Sequence, residues 1–423
     1  MLIGTLIHLA TWMTSPALAS AGTGNYRKGC VAAPVAAAER GRRRMKLNGS
    51  LRSMVTRGTA LPRRLHAGGD VPEGALLGPP PGVPWELLDE RLTAWFRSPI
   101  VTVAHRPISQ WKTSGAQRLW LGTADGRSRI LVLKRLDYSS SSLPAASILP
   151  FDISRSEQMV YLQAGKHPTV VPRTYLTLDL ARLEVGEGSL VVMEDLASGW
   201  SRPRLHHDYA LVVAKLDTIH CVMSDIGTNA GLAAHQLVRY NEELGPSLAE
   251  LFERLVMNEP TVLEDPEVGA LLMKWDSVRD VLVAPALPPA QSVFVHGDLS
   301  PANTFIRWLP TPAVKLIDYE WLGFGFPHAD LACLLKRARP SIEESALFLY
   351  ASRHRSIPPA EHRLLYEWCQ ICRGLLDAVY FVSHWKLTDP SRGSYLPDFA
   401  RASLERAWLA ARRVRTGQIL RSR

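Results

Sequence analysis

The pattern of apolar and polar positions divides the chain into a strand-rich front half and a helix-rich back half. Apolar residues at helical spacing predict helices over 84–95 and at about 154–164. Two apolar runs, 118–123 and 128–136, flank a turn that contains Asp125-Gly126, a combination that favours a hairpin. Strands followed by helices predict an α+β fold with a cleft between two lobes.

Four shorter strands and a set of domain boundaries complete this prediction. Strands are expected at 183–184 and 189–193, around a Gly-rich turn, and at 292–295 and 313–317 within the helical half. The predicted divisions are a basic arm with a Pro-rich linker (1–84), a β-rich N-terminal lobe (85–196), a helical C-terminal lobe (197–415) and a tail (416–423).

The positive charge of the chain lies almost entirely in its first residues. The 423 residues carry a net charge of +9, but residues 1–66 hold eleven Lys and Arg against one acid, so the remainder is close to neutral. This segment cannot bury enough apolar surface to fold, and we expect it to be disordered before a Pro- and Gly-rich linker at 71–84. The composition therefore indicates neither a nucleic-acid partner nor a membrane protein.

The extreme N-terminus leaves several interpretations open. Leu2–Met13 followed by Ala17–Ala21 is similar to a secretory signal, yet no Lys or Arg precedes Arg27. Translation from Met45 or Met54, or an Arg-rich transit peptide, would explain the same segment. We expect a cytoplasmic protein.

The five cysteines are few and scattered, which fits a reducing compartment. The close pair Cys369 and Cys372 lies in a predicted helix, and no second pair completes a four-ligand zinc site. We interpret both as buried thiols.

The strongest chemical signal is a loop that follows an apolar strand. His296-Gly297-Asp298 is followed five residues later by Asn303, and Asp318 closes a second apolar strand fifteen residues further on. Phosphoryl transfer needs a carboxylate to accept the hydroxyl proton, and oxygen ligands to hold Mg²⁺ on the phosphates. The spacing therefore predicts a kinase site.

These residues resemble the aminoglycoside phosphotransferase and choline kinase superfamily, whose motifs H-G-D-x-x-x-x-N and I-D-x-E are both intact here. The resemblance implies a bilobal protein-kinase-like fold, ATP and Mg²⁺ as cofactors, and a hydroxyl of a small molecule as acceptor. It also implies that Asp298 is the catalytic base and His296 a brace of the loop. Asn303 and Asp318 would be the Mg²⁺ ligands.

Two further acids are expected near this loop. Glu320 should share a strand face with Asp318, because side chains alternate with period two, and would lie near the metal or the substrate. The segment that contains Asp330 resembles the superfamily's segment in which a buried aspartate anchors the catalytic loop.

Lys134 lies inside an apolar strand, where burial is costly unless an anion meets it. It resembles the superfamily's phosphate-holding lysine, and its expected partner is Glu157 in the next helix. Ser154 and Glu157 also fit a capping box, which would give the glutamate a purely local role. We expect Lys134 to face the cleft, so that its loss would spare the fold.

The remaining nucleotide contacts have weaker signals. Ser114 and Gly115 are the best candidates for a phosphate-covering loop, although the segment has one glycine only. The run that ends at Glu194 and Leu196 resembles the hinge between the lobes. There the main chain would pair with adenine and the carboxylate would be incidental.

Alternatives from other classes remain. The sparse glycine loop also fits a degenerate kinase-like binding module. The pairs His296/Asp298 and His328/Asp330 could bind two metals in a hydrolase. The sequence does not determine which molecule is the acceptor, whether the nucleotide is ATP or GTP, or what the oligomeric state is. Asp377 is one possible contact of the acceptor.

Overall fold

The computed structural model describes residues 72–108, 114–136, 153–186, 188–231, 237–260, 264, 266–283, 285, 287–388 and 398–421. All of them belong to one compact unit, Pro62–Arg423. The predictions for residues 1–66, disorder and a signal-like segment, lie outside the described residues. None of the helices in the described part is long and apolar enough to cross a membrane.

The N-terminal lobe is built on a six-stranded sheet in the order β1-β2-β3-β4-β6-β5. Its strands are β1 (Leu76–Leu77), β2 (Ile100–Pro107), β3 (Ser114–Thr123), β4 (Ser128–Leu136), β5 (Thr174–Asp179) and β6 (Ser189–Glu194). The predicted hairpin is β3–β4, and its turn contains Gly126 at a φ of +79°. Two helices pack with this lobe, α1 (Trp85–Phe96) and α2 (Ile153–Gln163). Leu88 and Leu92 of α1 are completely buried against the sheet.

The structure of this lobe differs from the sequence-based expectation at three places. Residues 183–184 form part of a turn, and the strand that pairs with β6 is β5. Leu183 is 40% exposed, so its apolar character does not mark a buried strand. β2 was not predicted, and β1 lies inside the predicted linker, where Leu77 pairs with Ala104. His105 Nδ1–H donates to the Gly78 carbonyl at 2.9 Å, which holds the Pro-rich segment on the sheet edge.

The C-terminal lobe is mainly helical, as predicted. Its helices are α3 (His206–Asn229), α4 (Leu244–Phe252), α5 (Pro266–Leu272), α6 (Trp275–Val283), α7 (His328–Leu335), α8 (Pro340–Arg353), α9 (Pro359–Thr388) and α10 (Asp398–Arg421). A π-helical turn, Glu253–Met257, continues α4. The core of the lobe includes Trp368 and Leu365 of α9, both fully buried. Cys369 and Cys372 lie in the same core as free buried thiols, as predicted.

Two small groups of strands lie among these helices. β9 (Thr304–Arg307) and β10 (Ala313–Leu316) form an antiparallel hairpin. β7 (Val238–Tyr240), β8 (Val293–Val295) and β11 (Gly323–Gly325) form a sheet in the order β7-β11-β8. The catalytic loop predicted from the sequence runs from β8 to β9. The predicted α+β class, with a strand-rich lobe before a helical lobe, is confirmed.

Candidate active site

The loop after β8 begins with a sharp turn at Gly297. This residue has a φ of +77°, and a Cβ added to it would overlap the carbonyl oxygen of Trp321. Only glycine tolerates both the left-handed backbone and the close approach. The turn sends the chain from the buried strand to Asp298.

Asp330 holds this turn from the first turn of α7. Its carboxylate is completely buried and accepts the backbone N–H groups of His296 at 3.0 Å and Gly297 at 2.9 Å. His220 Nε2–H of α3 donates to the same carboxylate at 3.0 Å. A buried carboxylate needs such partners, and these three fix the loop to two helices. The structure thus places Asp330 under the loop, where the sequence expected it.

His296 connects the loop to the segment after β10. Its Nε2–H donates to the Ile317 carbonyl at 3.1 Å, and its Nδ1 accepts the Asp298 N–H at 3.2 Å. Burial lowers the pKa of His296, although nearby aspartates oppose this effect, so the ring is neutral at physiological pH. A neutral ring with this tautomer can make both hydrogen bonds at once.

Three side chains hold the carboxylate of Asp298. Asn303 Nδ2 donates to Oδ2 at 2.8 Å, while Arg373 Nη2 at 3.0 Å and the Cys333 thiol at 3.1 Å contact Oδ1. Burial by itself would raise the pKa of Asp298, but Arg373 and Lys336 outweigh it and lower the pKa. Asp298 is therefore ionised and fixed in orientation at neutral pH.

The two predicted metal ligands lie on adjacent segments. The Ile317 N–H donates to the Asn303 carbonyl at 3.0 Å, which brings Asp318 beside the loop. The Asn303 amide nitrogen donates to the main-chain carbonyl of Asp298 at 3.1 Å and to its carboxylate Oδ2, so the amide oxygen Oδ1 of Asn303 is the atom that could bind a cation. Asp318 has a φ of +69°, a strained conformation that aspartate tolerates better than most residues.

Lys134 joins the two lobes at this point. Its Nζ lies 2.6 and 2.8 Å from the two carboxylate oxygens of Glu157 and 2.6 Å from Asp318 Oδ1. Burial would lower the pKa of Lys134, but Asp318 and Glu157 raise it well above its ordinary value. α2 runs from Ile153, so Ser154 lies within the helix rather than before it, which does not favour the alternative of a capping box. Glu157, which is fully buried, is the ion-pair partner of Lys134.

Glu320 also lies at this cluster, but for a different reason than strand alternation. β10 ends at Leu316, so neither Asp318 nor Glu320 belongs to a strand. The turn that follows Asp318, closed by the Leu322 N–H on the Tyr319 carbonyl, brings Glu320 Oε1 to 3.9 Å from Lys134 Nζ. Burial and the charge of Asp318 raise the pKa of Glu320 to about 8. Glu157, Asp318 and Glu320 each place a carboxylate oxygen within 4.8 Å of the others.

Two expectations on the nucleotide side differ from the structure, one for Ser114 and Gly115 and one for Glu194. Ser114 and Gly115 belong to β3, where Gly115 pairs with Arg135, and therefore lie in a strand rather than a loop. The chain that precedes them, 109–113, lies outside the described residues.

The carboxylate of Glu194 is not incidental. It accepts the Arg173 N–H at 2.7 Å and forms an ion pair with Lys315 of β10, which ties the end of β6 to the other lobe. Leu196, two residues on, is buried.

Arg373 is a site residue that the sequence analysis missed. Its side chain projects from α9. Nη1 donates to the Gly297 carbonyl at 3.0 Å, and Nη2 contacts both Asp298 and Asp377. Asp377 also contacts Lys336 at 3.2 Å, so two cations already compensate its charge. The i, i+4 spacing of Arg373 and Asp377 was the one available signal.

The residues of the proposed hydrolase do not converge. His328 Nε2–H donates to His362 Nδ1 at 3.0 Å, since His362 Nε2–H is used on the His354 carbonyl. Asp330 is occupied by the loop. Within the described ranges, the one group of three or more possible metal-binding acids, histidines or cysteines contains neither histidine pair.

Several solved structures are similar to this chain. A choline kinase from Streptococcus pneumoniae has 16% identity and a TM-score of 0.43, over 78% of this chain and 99% of that chain. A macrolide 2'-phosphotransferase from Brachybacterium faecium has 16% identity and a TM-score of 0.46, over 75% and 97% respectively. An aminoglycoside 2'-phosphotransferase has 12% identity and a TM-score of 0.49, over 78% and 97%. A search of curated proteins gave no match. Residues 114–365, more than half of the chain and the span that holds Lys134, Asp298 and Asp318, match the phosphotransferase enzyme family, to which this chain therefore belongs.

Proposed function

We propose that this protein is a kinase that transfers the γ-phosphoryl group of ATP to a hydroxyl of a small molecule. The observation that carries the proposal is the state of Asp298, an ionised carboxylate oriented by Asn303, Arg373 and Cys333. A base held this way beside the Lys134 cluster is the arrangement that phosphoryl transfer requires. Membership of the phosphotransferase enzyme family supports the same reaction class.

The donor set of the site fits magnesium. Asp318 and the amide oxygen of Asn303 would hold the ion, with Glu320 close enough to assist directly or through water. All of these are oxygen ligands, which Mg²⁺ prefers, and it commonly takes few ligands from the protein and the rest from phosphates and water. When bound, the ion neutralises charge on the phosphate groups.

Lys134 and the hinge would bind ATP. The short contacts of Lys134 with Glu157 and Asp318 fix the position of its ammonium group, from which it would donate to the phosphates. Main-chain groups of Glu194 and Leu196 would pair with adenine, while the ion pair between Glu194 and Lys315 keeps that segment in place.

Asp298 would act on the acceptor. Its carboxylate accepts the hydroxyl proton as the hydroxyl oxygen bonds to the transferred phosphorus and ADP leaves with the electrons of the broken bond. A carboxylate with a lowered pKa is a weak base, which suits a loose transition state in which little proton transfer is needed early. Its main contribution is then to orient the hydroxyl for in-line attack.

The degenerate binding module is the second candidate considered, and the assembled site argues against it. A protein that only binds nucleotide has no need for a buried Arg373 that orients Asp298. Turnover separates the two functions.

The test is a phosphorylation screen with radiolabelled ATP and Mg²⁺ against hydroxyl compounds that include aminoglycosides, choline, homoserine and sugars. We expect transfer to at least one of them, and loss of transfer in Asp298→Asn. ATP binding without transfer to any compound in the screen, together with the same slow background hydrolysis in Asp298→Asn, would support the binding module instead.

A further inference from the structure

Arg202 follows the hinge and is fixed against β9. The neighbouring Ser201 exchanges two backbone hydrogen bonds with Ile306, at 2.9 and 2.8 Å. The guanidinium carbon of Arg202 lies 3.5 Å from the ring centroid of Phe305, so one face of the guanidinium stacks on the aromatic ring. The stack leaves the edges of the guanidinium, where its N–H groups point, as the part that a ligand would meet.

The guanidinium lacks an acceptor for part of its edge. Nη1 of Arg202 is buried and has no hydrogen-bond partner in the part of the chain that the structure describes. Burial lowers the pKa of Arg202 to about 10, and the charge that opposes this effect is that of Asp318. A buried cationic donor without an acceptor is costly, and a bound anion would remove that cost.

The position of Arg202 lies along the path of the proposed nucleotide. Phe305 of β9 is paired with Lys315 of β10, and Lys315 in turn contacts Glu194 at the hinge. Asp318 follows three residues after Lys315. A nucleotide that extends from the hinge to Asp318 therefore passes beside the Arg202 guanidinium.

We propose that Arg202 is a second phosphate-binding residue of this cleft, and that its Nη1–H donates to the phosphate chain of the bound nucleotide. The inference rests on the proposed kinase function. Lys134 is already in contact with two carboxylates, Glu157 and Asp318, whereas Arg202 forms no ion pair within the described residues. The planar guanidinium of Arg202 can donate two parallel hydrogen bonds to phosphate oxygens, and its stacking on Phe305 holds it in position.

The test is calorimetric titration of the full chain with ATP, ADP and adenosine in the presence of Mg²⁺. The proteins are wild type, Arg202→Gln, Arg202→Lys and the control Arg106→Gln, in which the exposed arginine of another aromatic stack is replaced. Loss of a charge-assisted hydrogen bond should weaken ATP and ADP binding by about 10- to 100-fold in Arg202→Gln. Adenosine affinity should not change, Arg202→Lys should retain part of the ATP affinity, and Arg106→Gln should match wild type.

Two results would overturn the inference while the kinase proposal stands. Equal ATP affinity in wild type and Arg202→Gln would show that the guanidinium does not contact phosphate. Tighter binding of ATP and adenosine alike would show that Arg202 occupies the place of the base and blocks it. A wild-type protein that binds neither ATP nor GTP would remove the kinase proposal as well. Thermal unfolding of each variant checks its fold, and if Arg202→Gln does not fold, ATP affinity in Arg202→Lys equal to that of wild type would overturn the inference.

Discussion

Replacing Lys134 by methionine tests the ion cluster that joins the lobes. The side chain of Lys134 is only 8% exposed and that of Glu157 is completely buried. Methionine keeps most of the apolar stem but removes the charge, which leaves the buried glutamate without its counter-ion. Breaking a buried pair in this way costs about 3 to 5 kcal/mol. That loss is a large part of the roughly 5 to 15 kcal/mol that stabilises a typical protein. We therefore expect Lys134→Met to destabilise the fold, whereas the sequence predicts that loss of Lys134 would spare it.

A double-mutant cycle isolates the pair from the rest of the cluster. Glu157→Gln alone leaves Lys134 with Asp318, whereas the double variant Lys134→Met/Glu157→Gln leaves no unpaired charge at the buried position. The double variant should therefore lose less stability than the sum of the two single variants, by about 2 kcal/mol.

The assay is urea unfolding of the four proteins, followed by tryptophan fluorescence, with comparable slopes as the check that the free energies can be compared. Lys166→Met is the matched control, because this exposed lysine follows the same helix, α2. The control should change stability by less than about 0.5 kcal/mol. The reasoning is refuted if Lys134→Met is no less stable than the control, or if the two single effects simply add.

Three further predictions concern the loop and its supports. Asp298→Asn should lower turnover by about 10²- to 10⁴-fold with little change in Mg-ATP affinity, whereas Asp318→Asn should lower both turnover and the Mg²⁺ dependence of ATP binding. Calorimetric titration with ATP at low and high Mg²⁺, together with steady-state rates, measures both effects. The opposite pattern would reverse the roles of the two aspartates. Arg373→Lys keeps the charge but cannot reach Gly297 and Asp298 together, so kcat should fall by about 10- to 100-fold while the KM for ATP stays constant; an unchanged kcat contradicts the positioning role. Burial lowers the pKa of His328 well below its ordinary value, so the unfolded chain binds a proton below about pH 6.5 that the folded protein excludes. Stability should therefore fall as the pH drops below about 6.5, and the thermal midpoint of His328→Phe should fall less; equal slopes for both proteins would refute this assignment.

The sequence was informative where chemistry and backbone geometry lie within a few residues. Gly297 can adopt a turn that other residues cannot, and the spacing from Asp298 to Asn303 is set by one short loop. The hairpin at Gly126 is local in the same sense. Such features depend on the φ and ψ angles of a few consecutive residues, and the type of each residue restricts the angles that it can adopt.

Strand and loop assignments failed where the local pattern was weak. The sequence predicts a loop at Gly115, but its pairing with Arg135 across β3 and β4 places it in the sheet. The sequence also predicted that Glu320 would share a strand face with Asp318. The structure brings the two together through a turn instead, because Asp318 adopts a left-handed conformation after the strand has ended.

The sequence alone determined the order and spacing of Lys134, Asp298, Asn303 and Asp318, the residues to which we assign the proposed phosphoryl transfer. Only the tertiary structure decided how they are held. It pairs Lys134 with both Glu157 and Asp318, and it brings Arg373 from a distant helix to Asp298 and Gly297. These contacts join segments far apart in the chain, and their geometry depends on how helices and strands pack, which neither hydrophobic periodicity nor motif spacing specifies.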